Sequence, residues 1–186
     1  MRTITGLLTT LLIGCADFSY HPSSPTGTYD VFISPMLSKE HRKSIENAVI
    51  EWEYNTNRTV RFYLVDKPPI LGRPLISFYP ALNQQLFHQF GYSISLYGMC
   101  VWHWYDSDIM LWSGIQDTTD YHSASLHEIG HALGLYHYEE DRDDTVMKVS
   151  INWPRLTCLD MHLFCNVWNC NAEEFPLCKL EKRIKK

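Results

Sequence analysis

The chain is poor in several features that would set its class. Its 186 residues contain no run of 18 or more apolar residues, so no membrane-spanning helix is expected in the mature protein. It has no excess of basic charge. The 16 Lys and Arg stand against 21 Asp and Glu, a net charge of −5, which gives no reason to expect a nucleic-acid partner. No internal repeat and no second domain are found. The six cysteines include no Cys-x-x-Cys pair, which argues against a structural zinc held by cysteines. The remainder is ordinary. Hydrophobic residues make up 45% and charged residues 20%, the balance of a globular chain with one domain and a real core.

Residues 1–14 read as a secretory signal: Arg2 supplies a positive start and residues 4–13 are apolar with threonines. Leu12-Ile13-Gly14-Cys15 resembles a bacterial lipobox, in which the cysteine becomes the lipidated first residue. Acyl chains on Cys15 would anchor the protein without a spanning helix. Ala16 stands where an aspartate favours inner-membrane retention, so the outer membrane is the expected site. An ordinary signal peptide cleaved elsewhere, or a short buried helix, is the alternative. Residues 15–28, with Pro22, Pro25 and Gly27, read as an extended tether, and the domain is expected over residues 29–186.

Within that domain, Tyr29, Val31 and Ile33 alternate as in a strand. Ser38 can cap a helix whose Ile45, Ala48, Val49 and Trp52 share one buried face. Residues 59–65 read as a second strand with Val60, Phe62 and Leu64 inward, and residues 75–79 as a third. Residues 81–90 are ambiguous and allow a short helix. Residues 98–105 and 108–112 read as a hairpin across Asp106-Ser107. Asp120 or Ser123 is expected to cap the next helix, and residues 139–144 read as a solvated acidic loop.

That next helix carries the chemistry. Residues 127–137 read His-Glu-x-x-His-x-x-Gly-x-x-His. His127 and His131 lie one helical turn apart and share a face, so both imidazoles can reach one ion. Gly134 can adopt a left-handed conformation and turn the chain back, which lets His137 supply a third nitrogen. Three histidines leave one position open, as a catalytic zinc site requires; a structural site is closed by a fourth protein ligand. Glu128 is placed to act on a water rather than to ligate. The five fixed positions match by chance in roughly one chain of this length in 10⁵.

With Met147 ten residues after His137, this pattern resembles the metzincin zinc peptidases, and within them the matrixin branch. The resemblance covers about residues 29–165, with specific motif only over 127–147. It implies an α+β, metzincin-like (zincin) domain. Such a domain has a twisted, mainly parallel sheet of about five strands with an antiparallel edge strand, an active-site helix and a C-terminal helix. It implies one catalytic Zn2+ on His127, His131 and His137, Glu128 as general base and acid, and Met147 in a Met-turn beneath the ligands. Asp160 is the expected brace of that turn. Part of residues 98–105 becomes the edge strand that pairs with an extended peptide or protein substrate. Trp102, His103 and Trp104 there can shape subsites or simply form a cross-strand aromatic cluster.

The chain departs from the matrixins in three ways. Val149 replaces the proline two residues after the Met-turn methionine. The loop for a structural zinc and calcium is reduced to His88, which is expected to pack or face solvent. The cysteine-containing latency segment is missing.

Beyond residue 166 a cysteine-rich, loop-like extension is expected, ending in a solvated basic run over residues 179–186. If Cys15 carries lipid, five cysteines remain. Cys158 and Cys165, seven residues apart on one helix, are about 10 Å apart, too far to bridge. Each is expected to pair with Cys170 or Cys178, in an order left open, with Cys100 free. The expected protein is a monomer in contact with the membrane through its lipid only. A surface-anchored binding or immunity module that keeps zinc for structure is the alternative to an enzyme.

Overall fold

A computed structural model describes residues 27–69, 72–81, 97–102, 106–138, 144–148 and 154–184. Cys15, the tether up to residue 26, His88 with the ambiguous segment, His103, Trp104, residues 139–143 and Val149 lie outside the described residues.

Among the described residues five strands form one sheet: β1 (Thr28–Ile33), β2 (Arg61–Val65), β3 (Leu75–Ala81), β4 (Gly98–Trp102) and β5 (Ser107–Trp112). The order is β2-β1-β3-β5-β4. All neighbours are parallel except β4 and β5, the expected antiparallel pair, although Ser107 lies in β5 opposite Trp102 and not in the turn. β4 is therefore an antiparallel edge strand, in register Gly98 to Leu111, Cys100 to Ile109 and Trp102 to Ser107. The helices are α1 (Lys39–Asn55), α2 (Thr118–Ala132), α3 (Cys158–Trp168) and α4 (Pro176–Ile184). This is the α+β architecture that the resemblance implies. No helix among the described residues is long and apolar enough to cross a membrane.

α1 starts where Ser38 accepts the His41 N–H at 3.1 Å. Ile45, Ala48, Val49 and Trp52 are all buried, as their spacing predicts. α2 packs against α1, and the Trp52 indole N–H donates to the Leu126 carbonyl across that contact at 3.0 Å. Phe78, Ile109, Leu111, Tyr121, Ile129 and Phe164 complete the centre of the core.

Four expectations need correction. Leu64 is 58% exposed. β2 is the other edge of the sheet, and only its start, around Val60 and Phe62, is covered. Neither Asp120 nor Ser123 caps α2. Asp117 does, accepting the Thr119 N–H at 2.6 Å. The first helical turn is polar, so the apolar periodicity begins a turn after the helix does. The tail is not loop-like. Asn169 turns α3 off in a left-handed conformation, a 3-10 turn follows at Ala172–Glu174, and Pro176 opens α4. Proline suits a first helical position because its missing N–H is unneeded there. The basic run is therefore not a free tail: Lys182 and Arg183 lie in the last turn of α4, where cations complement the helix dipole.

The cysteines pair as Cys158–Cys178 and Cys165–Cys170, with Cα separations of 4.7 and 4.5 Å. Cys100 is buried in β4 and belongs to neither of these two bridges. The bridges join α4 to the start of α3 and close the turn that ends α3.

Candidate metal centre

α2 presents His127 and His131 on one face, both buried. Its C-terminus is set by Gly134, which has φ +89°. The Leu135 N–H donates to the Gly130 carbonyl at 3.0 Å and the Gly134 N–H to the His131 carbonyl at 2.8 Å. That pair of bonds is a Schellman motif, which needs a left-handed residue at the turn. The reversal returns His137 to the other two rings. The three Nε2 atoms lie 3.0, 3.1 and 3.2 Å from one another.

Two of these nitrogens have no proton to share. His127 Nδ1 lies 2.6 Å from the Val146 carbonyl and His131 Nδ1 2.8 Å from the Leu135 carbonyl. A carbonyl only accepts, so each Nδ1 carries the proton and each Nε2 directs a lone pair at the others. Lone pairs so close repel unless a cation sits among them. Tetrahedral bonds of zinc to imidazole place ligand nitrogens about 3.3 Å apart, close to the spacing here. The residues fit the ion that the motif implies. Burial, with repulsion from His137 opposing ionisation too, lowers the His127 pKa to about 4. Burial pulls His131 well below the ordinary range, helped by its neighbouring imidazoles, and burial lowers His137. All three rings are neutral near pH 7, the form that ligates.

The support beneath these rings comes from residues 144–147. Met147 is fully buried against α2 at Gly130. A Cβ on Gly130 would collide with the Met147 sulfur, so the missing side chain seats the thioether. Asp160, also fully buried, holds the turn. Its Oδ1 accepts from the Thr145 hydroxyl at 2.5 Å and the Val146 N–H at 3.0 Å. Its Oδ2 accepts from the Thr157 N–H at 2.8 Å and lies 2.9 Å from the Thr157 hydroxyl. Burial pushes this carboxyl upward against the pull of those hydrogen bonds. Through Val146, whose carbonyl receives His127 Nδ1, the grip of Asp160 extends to the first imidazole. The Tyr138 N–H donates to the Met147 carbonyl at 2.9 Å and ties the chain after His137 to the same turn.

Glu128 is buried beside His127, and its side chain reaches the start of β4. The structure thus brings His127, Glu128, His131, Gly134, His137, Met147 and Asp160 into one region. Cys15 lies outside the described residues. Several supporting residues escape the sequence reading. Thr157 and Asp160 form a capping box at the start of α3, a signal legible as Thr-x-x-Asp. Gly98 and Gly130 have no such signal, because their roles depend on what packs against them. Glu51 ties α1 to α2 and to the segment that precedes α3. It accepts the Leu156 N–H at 2.8 Å and meets His122 of α2 at 3.0 Å. Burial opposes the charged form of His122, but its bonds to Glu51 and the Ser44 carbonyl win and raise its pKa.

No protein-family model matches this chain, and no curated protein matches it. Two solved structures of myroilysin are similar in shape. One is 14% identical with a TM-score of 0.47, covering 81% of this chain and 83% of that one. The other is 13% identical with a TM-score of 0.48, covering 80% and 86%. Likeness of this degree says nothing about activity, which has to be argued from the site's own residues.

Proposed function

We propose that the chain is a zinc-dependent endopeptidase of metzincin-like, matrixin-like type, exported and anchored outside the cytoplasm by lipid on Cys15. The observation that carries the enzymatic part is the convergence of three Nε2 atoms within 3.2 Å, those of His127 and His131 presenting lone pairs, beside a buried carboxylate. His127, His131 and His137 hold the ion. Zinc there supplies Lewis acidity, which acidifies water and polarises a carbonyl. Glu128 takes the proton of the attacking water and hands it to the leaving amine. A site kept for structure alone has no use for that carboxylate. Extended substrate adds to β4, the edge strand among the described residues, where main-chain hydrogen bonds give affinity and side-chain pockets give selectivity.

The test is hydrolysis of a diverse peptide library by zinc-loaded protein and by Glu128→Ala, with product sequencing. The variant is expected to keep zinc and fold but lose about 10²–10⁴-fold or more of the rate. Cleavage at the wild-type rate by the variant overturns the proposal. The lipid anchor is tested separately. Cys15→Ser moves the protein out of the membrane fraction, and unchanged detergent partition refutes the lipobox.

A further inference from the structure

Gly98 is the first residue of β4 and is buried. A glycine inside a paired strand weakens it, since it adds chain entropy and nothing to pack. Its backbone is not among those with positive φ, so conformation does not require glycine here. Space does. A Cβ at this position would stand 2.9 Å from both Cγ and Oε1 of Glu128, and 2.7 Å from Cδ2 of Leu111, its cross-strand partner. Glu128 cannot swing away into solvent, because it is only 3% exposed.

We infer that Gly98 is a positioning residue for Glu128: its missing side chain is the seat of the carboxylate. The inference rests on the reading of Glu128 as the proton carrier. It adds that the substrate-pairing edge and the proton carrier share a wall, so the identity of residue 98 sets where the carboxylate stands. Any larger residue pushes the carboxylate off its position while leaving His127, His131, His137 and their carbonyl partners untouched.

The test is a double-mutant cycle of Gly98→Ala and Glu128→Ala on the full chain, read first by thermal unfolding. Gly98→Ala alone is expected to lower Tm by about 4 °C through overpacking. In the Glu128→Ala background the same change is expected to lose about half that effect or more, since two of the three atoms it strikes are gone and Leu111 Cδ2 alone remains. Equal losses in both backgrounds overturn the inference and leave Leu111 as the sole neighbour that matters. Zinc content stays at the wild-type level in Gly98→Ala; loss of zinc also overturns it.

The second readout is kinetic. Gly98→Ala is expected to lower kcat about 10²-fold with KM nearly unchanged. Gly98→Ala/Leu111→Ala, which removes the other clash, does not restore kcat. A change confined to KM, or full restoration by Leu111→Ala, contradicts the assignment. If the wild-type protein cleaves no peptide, the proposed function falls while the stability cycle still decides whether Gly98 seats Glu128.

Discussion

Asp160→Asn replaces one of two carboxylate oxygens by an amide nitrogen in a fully buried site. The single remaining oxygen can face Thr145 and Val146, or Thr157, but not both. Facing Thr145 and Val146 preserves the bonds of 2.5 and 3.0 Å, and opposes the new amide to the Thr157 N–H, which has lost its 2.8 Å acceptor. Facing the other way loses two bonds instead of one. The first arrangement therefore wins. A hydrogen bond to a charged group contributes about 1.5–3 kcal/mol, and an unsatisfied buried donor costs about 1–3 kcal/mol. Relief from burying a charge offsets part of this, leaving a net loss of about 2 kcal/mol. A domain of ordinary stability, about 5–15 kcal/mol, survives that loss and remains measurable. Weaker hold on Val146 also loosens the carbonyl that fixes His127, and outer-shell losses of this kind cost about 10–100-fold in metal affinity. Urea denaturation of the metal-free protein and zinc titration against a chelator measure the two effects. Stability within about 0.5 kcal/mol of wild type, together with unchanged zinc affinity, would refute the bracing role.

Gly134→Ala places a Cβ at φ +89°, a conformation that costs an L-residue about 1–2 kcal/mol, and it should weaken zinc binding by displacing His137. An unchanged denaturation midpoint would show that the turn is not held as described. The metal-free protein should lose stability on acidification. His127 has a folded pKa of about 4, below its ordinary 6.5, so the unfolded chain binds more protons between those values and stability falls as pH drops through them. From pH 7 to pH 5 this amounts to roughly 2 kcal/mol from His127 alone, with His131 acting in the same direction. Denaturation midpoints at the two pH values that rank the other way would show that the rings are not buried neutral.

The parts legible in the sequence are those whose cause is local. His127 and His131 announce themselves because four residues make one helical turn. Gly134 is legible because few other residues reverse a helix. The β4–β5 hairpin and the apolar face of α1 follow from simple periods, and the two disulfides agree with the exclusion of a Cys158–Cys165 link by helix rise. What failed depends on partners far along the chain. Leu64 has the inward alternation of its strand, yet its exposure follows from the position of β2 at the sheet edge. α4 has too few residues for its pattern to stand out, and Cys178 fixes it to α3. Gly98 and Gly130 carry no local signature at all, since each is defined by the side chain that fills its empty space.

The central claim is that three neutral imidazoles hold one zinc ion and that hydrolysis depends on it. It is tested most directly by titrating zinc into the metal-free, full-length protein while following cleavage of a peptide that the zinc-loaded protein hydrolyses. The account predicts no hydrolysis without metal, a linear rise, and a plateau at one equivalent. Hydrolysis by the metal-free protein, or one tightly bound zinc that leaves every peptide intact, would contradict it.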